Sequence, residues 1–295
     1  MGTRKIIQQM TFRDWEKAFP NEEACRDYLT VHRWPSLEVK CPRCGNPKVY
    51  HLSRDHHWQC QKCAPQGYRF SVLTGTIFEN TNKPLRDWFR VIHLMLTSKK
   101  GVSALQLYRQ LGFGSYKTAW YMCHRVRAGL ANEDFRKLMG IVEVDETHIG
   151  GDDSNRHFKN KKGKDAKSIV IGAVERKGNV VARVLDRADW YGMDQFVRMV
   201  CGDKVSLLAT DEAHGYKHLG DDFPHGTVKH RRKQYVVGAI HTNTIEGFWS
   251  LIKRSIVGAH HKVSRKYLPL YIAERQFVYN NRHSQDIFGA AIAGL

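Results

Sequence analysis

The sequence predicts an α/β protein: a mixed sheet flanked by helices, preceded by a small cysteine-bearing module and a helix-turn-helix pair. Three observations carry this expectation. Two Cys-x2-Cys pairs stand between Cys41 and Cys63. A helix, a short glycine-containing turn and a second helix follow between Ser103 and Leu130. From Ile141 onward, β-branched runs alternate with helical periodicity, and two aspartates stand at strand ends.

A chain of 295 residues is long enough for about two domains with small modules. Its net charge of +18 and pI near 9.7 point to a polyanionic partner, because each phosphate neutralised releases condensed counterions. The charge is unevenly placed. Residues 41–130 hold 14 Lys/Arg against 3 Asp/Glu, whereas residues 141–246 hold 17 against 16. The first half thus carries the electrostatic footprint of nucleic-acid binding, and the second keeps its carboxylates. The N-terminus lacks the apolar core of a signal peptide, and no apolar run approaches 18 residues. The expected setting is cytoplasmic and nucleoid-associated, with no membrane.

Residues 11–34 read as short helices that pack without chemistry. Thr11 with Asp14 resembles a capping box, and Pro20-Asn21 restarts the helix. Cys41-Pro42-Arg43-Cys44 and Cys60-Gln61-Lys62-Cys63 then form the sharpest local motif. Two such knuckles suit a zinc ribbon, in which two tight turns present four thiolates tetrahedrally. Iron in a rubredoxin-like site is the alternative. A zinc ion held by four cysteines has no open position, so its role is structural. Val49–Leu52 and Trp58–Cys60 suit short strands, and His56 and His57 read as exposed loop residues. Arg43, Lys48, Arg54, Lys62 and Arg69 make the module basic.

Residues 71–83 read as a loop, and Pro84 opens a helix. Ser103 and Ser115 are good N-caps for the two helices that flank Gly112-Phe113-Gly114. In the second helix Ala119, Met122, Cys123 and Val126 share one face. His124 and Arg127 fall on the others with Lys117, Thr118, Tyr121 and Arg125, and these last four are the candidate DNA contacts of a recognition helix. An ordinary helical hairpin is the competing reading.

The second half is arranged around Ile141-Val142-Glu143-Val144-Asp145-Glu146-Thr147-His148-Ile149-Gly150-Gly151. Val142 and Val144 alternate with Glu143 and Asp145, which makes a strand with one apolar and one acidic face and an aspartate at its end. An edge strand with a solvated acidic face is the plainer alternative. A basic loop with Arg156, Lys159, Lys161, Lys162, Lys164 and Lys167 follows. Ser168–Val174 and Val180–Leu185 read as a hairpin and Met193–Val200 as a helix. Val205–Asp211 is a second strand that ends in aspartate, and Val228–His230 suits a fifth strand. Asn243–Arg254 reads as a helix that carries Glu246. Three strands, a helix, a strand, a helix and a strand are the layout of the RNase H-like nuclease fold. Phosphodiester cleavage with two Mg2+ ions needs carboxylates that converge on ions about 4 Å apart. Asn243 lies three residues before Glu246, on the same helical face, and Lys253 lies two turns beyond, where it can meet a phosphate.

Taken together, the knuckles, "KKGVSALQLYRQLGFGSYKTAWYMCHRVR", "VDETHIGG", "TDEAHGY", "HTNTIEGFWSLIKR", "HHKVSRKYL" and "YNNR" resemble bacterial insertion-sequence transposases of the DDE type, in the group with an N-terminal zinc ribbon and an RNase H-like catalytic domain. The resemblance implies that Asp145, Asp211 and Glu246 bind two Mg2+ (or Mn2+) ions and that Lys253 serves the site. Some members use asparagine as the third residue, which leaves Asn243 beside Glu246 as candidate. It also implies cleavage at the element's terminal inverted repeats by water, then attack of the freed 3′-hydroxyl on target DNA. Two ends handled together imply at least a dimer on double-stranded DNA.

The expected organisation is a helical segment over 1–40, a zinc ribbon over 41–70, a helix-turn-helix region over 71–135 and a catalytic domain over 136–295. Rival readings are a DNA-binding regulator whose second half only dimerises, a nuclease or resolvase on the same fold, and a copy that binds without cutting.

Overall fold

Strand pairing and helix packing divide the chain into two units, Met1–Leu130 with Arg282–Leu295, and Ala131–Asn281. The computed structural model describes residues 10–63, 65, 67–131, 135–150, 167–186, 189–211, 214–228 and 240–295.

The first unit opens with α1 (Phe12–Ala18) and α2 (Glu22–Arg33). Thr11 and Asp14 form the expected capping box, and the Asn21 side chain caps α2. Three short strands, β1 (Tyr50–His51), β2 (His57–Cys60) and β3 (Tyr68–Ser71), make an antiparallel sheet in that order. The sequence suggests only the first two. His56 is not an exposed loop residue: its side chain is 14% exposed and turns toward Thr30 and Asp27 of α2.

Helices α3 (Leu85–Thr97), α4 (Ala104–Leu111) and α5 (Tyr116–Gly129) follow. Ser103 and Ser115 accept backbone N–H bonds as N-caps. Gly112 ends α4 in the left-handed conformation (φ 65°), which a side chain would oppose. Ala119, Met122, Cys123 and Val126 are buried as expected, but His124 and Arg127 are buried too.

A last helix, α9 (Ile287–Gly294), also belongs to this unit. The sequence reading carried the second domain to residue 295. Instead Phe288 lies 5.5 Å from Phe19 and 5.4 Å from Phe89, ring centre to ring centre, inside an aromatic core shared with α2 and α3.

The second unit is built on a five-stranded sheet ordered β6-β5-β4-β7-β8. Its strands are β4 (Leu138–Ile149), β5 (Ser168–Glu175), β6 (Val180–Leu185), β7 (Cys201–Thr210) and β8 (His225–Thr227). The first three in sequence pair antiparallel. β7 joins β4 in parallel, and β8 joins β7 in parallel. The fifth strand therefore precedes the expected Val228–His230; Lys229 and His230 lie outside the described residues, as do Gly151 and the basic loop 151–166.

Central placement of β4 excludes the edge-strand reading. Alternation along β4 sorts its side chains into two layers. Val142 and Val144 join Phe196 and Val197 of α6 (Trp190–Val200) and Tyr216 and Leu219 of the 3-10 helix His214–Asp221. On the other face, Ile149 and Val170 pack with Ile245, Phe248 and Trp249 of α7 (Asn243–Ser255) and Ile272 of α8 (Leu268–Asn280). Gln276 and Asn280, one turn apart on α8, hydrogen-bond the backbone of Ala182 and Val180 and so cover the edge strand β6.

Candidate active site and metal centre

Asp145 stands inside β4, opposite Gly172 of β5, and is not the strand's last residue. Pairing with β5 continues to Ile149, while the ladder with β7 stops at Glu143 beside Ala209. Carried two residues past the end of that ladder, the register sets Asp145, within β4, level with Asp211, the residue after β7. The two carboxyls sense each other. Burial, then Glu146, then Asp211 push the Asp145 carboxyl up to about 7, against hydrogen bonds from the Glu146 backbone and Trp249 that lower it. Glu146 is raised as well, first by burial, while its hydrogen bond from the Tyr216 hydroxyl (2.5 Å) works the other way and Asp211 adds to the rise. Acids crowded this way are relieved by a divalent cation, so the donor set fits a hard oxygen-seeking ion.

Helix α7 is fastened above this site by Glu143. That carboxylate is fully buried and accepts the N–H groups of Thr244 (2.7 Å) and Ile245 (3.1 Å) and the Thr244 hydroxyl (2.8 Å). It also meets Arg176 Nε at 2.6 Å and His241 Nδ1 at 3.2 Å. A carboxylate at a helix N-terminus satisfies orphan donors and suits the helix dipole. One turn along α7 from Ile245, Trp249 Nε1 donates to Asp145 Oδ2 at 3.0 Å.

Glu246 and Asn243 lie in the first turn of α7, and both are exposed. Glu246 Oε1 accepts from the Thr242 hydroxyl at 2.9 Å. Among the described residues, Asp145, Asp211 and Glu246 do not gather within 4.8 Å of one another. Asp145 and Asp211 are close enough to interact electrostatically, and Glu246 stands on α7, the helix whose Trp249 bonds Asp145. Lys253 is exposed in the last turn of α7.

The cysteines behave differently. The sulfurs of Cys41, Cys44, Cys60 and Cys63 all lie within 4.8 Å of one another. Cys41 and Cys63 are 3.8 Å apart, and Cys44 and Cys60 3.7 Å. Tetrahedral zinc with Zn–S bonds of about 2.3 Å needs sulfurs about 3.8 Å apart. The four thiols therefore fit structural Zn2+ without rearrangement.

Two family models match the chain: an ISXO2-like transposase domain over residues 137–280 and a transposase zinc-ribbon domain over residues 20–66. The chain belongs to the insertion-sequence transposases that carry a zinc ribbon. A relative from Halobacterium salinarum, an uncharacterized protein in transposable element ISH50, is 25% identical over 270 residues, 87% of this chain and 90% of its own. A solved simian T-cell lymphotropic virus intasome, in complex with PP2A regulatory subunit B56 gamma, matches with a TM-score of 0.30 and 14% identity. That match covers 58% of this chain and 63% of the other, less than two thirds of its length, and is too slight to bear on the fold.

In this transposase the candidate recognition helix α5 exposes Lys117 and Tyr121 and half-buries Thr118. Arg125 is engaged inside its own unit: Nη2 donates to the Glu79 carbonyl at 3.2 Å, and the guanidinium lies 5.6 Å from the Trp88 ring centre. Among the described residues, no helix is long and apolar enough to cross a membrane. Sequence reading did not single out Glu143, Glu146, Trp249 and Tyr216, which the structure joins to β4 and Asp145. Glu143 and Glu146 were visible only as part of an acidic stretch, and Trp249 only as an apolar helix position.

Proposed function

We propose that this transposase binds the terminal inverted repeats of its insertion sequence and carries out metal-dependent strand cleavage and strand transfer on an RNase H-like domain. The observation that carries the reading is the electrostatic interaction of Asp145, on β4, with Asp211, the residue that follows the parallel strand β7. The sheet order, three antiparallel strands extended by two parallel ones, supports the RNase H-like assignment. Asp145 and Asp211 would hold Mg2+ or Mn2+, with Glu246 or Asn243 completing the set from α7. The chemistry supplied there is activation of the attacking hydroxyl and neutralisation of the leaving oxygen.

The chain's own residues do the rest. Glu143 fixes the start of α7 against β4. Lys253 meets a phosphate of the bound strand. In the first reaction water adds its oxygen to phosphorus, the bond to the 3′-oxygen breaks, and the proton passes to that oxygen. In the second, the freed 3′-hydroxyl replaces water: its oxygen adds to a target phosphorus, the target's own bond from that phosphorus to its 3′-oxygen breaks, and the proton passes to that leaving oxygen. Lys117, Thr118 and Tyr121 of α5, with the α4–α5 pair acting as a helix-turn-helix, grip the terminal repeats. The ribbon's basic side chains add phosphate contacts. Two ends cut together call for at least a dimer on DNA.

The test uses the full chain, a plasmid that carries both element ends, and Mg2+. Nicks at the element ends and joined target products are expected, with Asp145→Asn and Asp211→Asn losing both while retaining end binding. End binding without metal-dependent nicking would put the DNA-binding regulator in its place.

A further inference from the structure

We propose that Trp249 is a positioning residue that holds the Asp145 carboxylate through Oδ2 and directs Oδ1 to the divalent cation, so that Asp145 ligates through one oxygen. This inference rests on the phosphoryl-transfer reading above and adds a residue to it.

Trp249 is 3% exposed, and its indole N–H can only donate. A buried indole N–H needs an acceptor, and here the acceptor is Asp145 Oδ2 at 3.0 Å. The slot for the ring exists because a side chain is missing opposite it. Gly172 pairs directly with Asp145 across the β4–β5 ladder. A Cβ at Gly172 would stand 2.6 Å from Trp249 Cη2 and 2.8 Å from Cζ2. The ring therefore runs over the sheet where any other residue would project, and it packs against Phe248 at 5.4 Å between ring centres.

The bond is one half of a two-point clamp. Glu143 and Asp145 are two residues apart on one face of β4, and Ile245 and Trp249 are four apart on one face of α7. Glu143 takes the Ile245 N–H, and Asp145 takes the Trp249 N–H. Two bonds separated along both elements fix the rotation of the helix as well as its distance from the strand. The Trp249 bond engages Oδ2 of Asp145, and the helix anchored by Glu143 keeps Trp249 in place to make it. Donors that orient a ligating group are worth about 10–100-fold in metal affinity.

The experiment is a Mg2+ titration of the full-length protein with 15N-labelled tryptophan, following the indole N–H signals of its seven tryptophans. The Trp249 signal is identified by its loss in Trp249→Phe and by its displacement in Asp145→Asn. It is expected to move saturably with Mg2+ in the wild type and to stay still in Asp145→Asn. Trp249→Phe, which keeps an aromatic ring, is expected to bind Mn2+ about tenfold or more weakly, read from the spin-resonance signal of the free ion. A Trp249 signal that does not move, while Mg2+ binds in an Asp145-dependent way, overturns the positioning role and leaves the transposase reading standing. No Asp145-dependent binding of Mg2+ or Mn2+ overturns both. The wild-type titration stands even if Trp249→Phe fails to fold.

Discussion

Glu143 on β4 accepts the backbone N–H of Thr244 at 2.7 Å, so a strand carboxylate caps a helix that begins about a hundred residues later in the chain. The same carboxylate is paired with Arg176 and is fully buried. Glu143→Gln keeps the shape but leaves Arg176 without its counter-charge. We expect a loss of about 3 kcal/mol in urea unfolding. Glu246→Gln, on the exposed side of the same helix, is expected to cost less than about 1 kcal/mol.

The site should oppose folding at neutral pH when no cation is present. The Asp145 carboxyl is held up at about 7, against an ordinary value of 3.8. A raised acid binds more protons folded than unfolded, so its contribution is fully present below pH 3.8 and is lost as pH rises toward 7. Asp145→Asn removes that loss. At pH 7.5 without divalent ions, the variant is expected to be more stable than wild type by on the order of 2 kcal/mol, and the difference should vanish near pH 4. Melting curves at the two pH values check this.

On α5, two basic residues should behave differently. Lys117→Ala is expected to weaken end binding across sequences and to reduce the salt slope by about one. Arg125 spends its guanidinium on Trp88 and the Glu79 carbonyl. Arg125→Ala should therefore lower the melting temperature, at a cost of about 1–2 kcal/mol, before it alters DNA binding. Binding isotherms over a salt series, beside thermal melts, separate the two.

Metal removal should separate the two centres. The four cysteines match one zinc per chain, which elemental analysis should find. A strong chelator is expected to disorder β1–β3, as seen by circular dichroism and proteolysis. Mg2+ should restore cleavage to protein that keeps its zinc and fail to restore protein that has lost it.

How much of this was legible depends on how local each signal is. The zinc ligands were, because two short spacings place four thiols in two adjoining turns. So was the β5–β6 hairpin, because alternation along a strand is local. Glu143 was not: alternation sorts it with Asp145 as one acidic face, and only α7, brought over β4 from about a hundred residues away, makes it a cap. Trp249 read as an apolar helix position because its partner is 104 residues distant. The contacts of Arg125 with the Glu79 carbonyl and the Trp88 ring were not legible, because periodicity shows which face a residue takes and not which carbonyl or ring waits there. Helix α9 escaped because its apolar residues fit any core, and its place beside Phe19 and Phe89 is decided by packing.

The most direct test is an anomalous-scattering map from a crystal of the full chain soaked in Mn2+. Density within about 2.1 Å of carboxylate oxygens of both Asp145 and Asp211 is the expected result. A map with a peak at the four cysteines and none at the two aspartates would contradict the account.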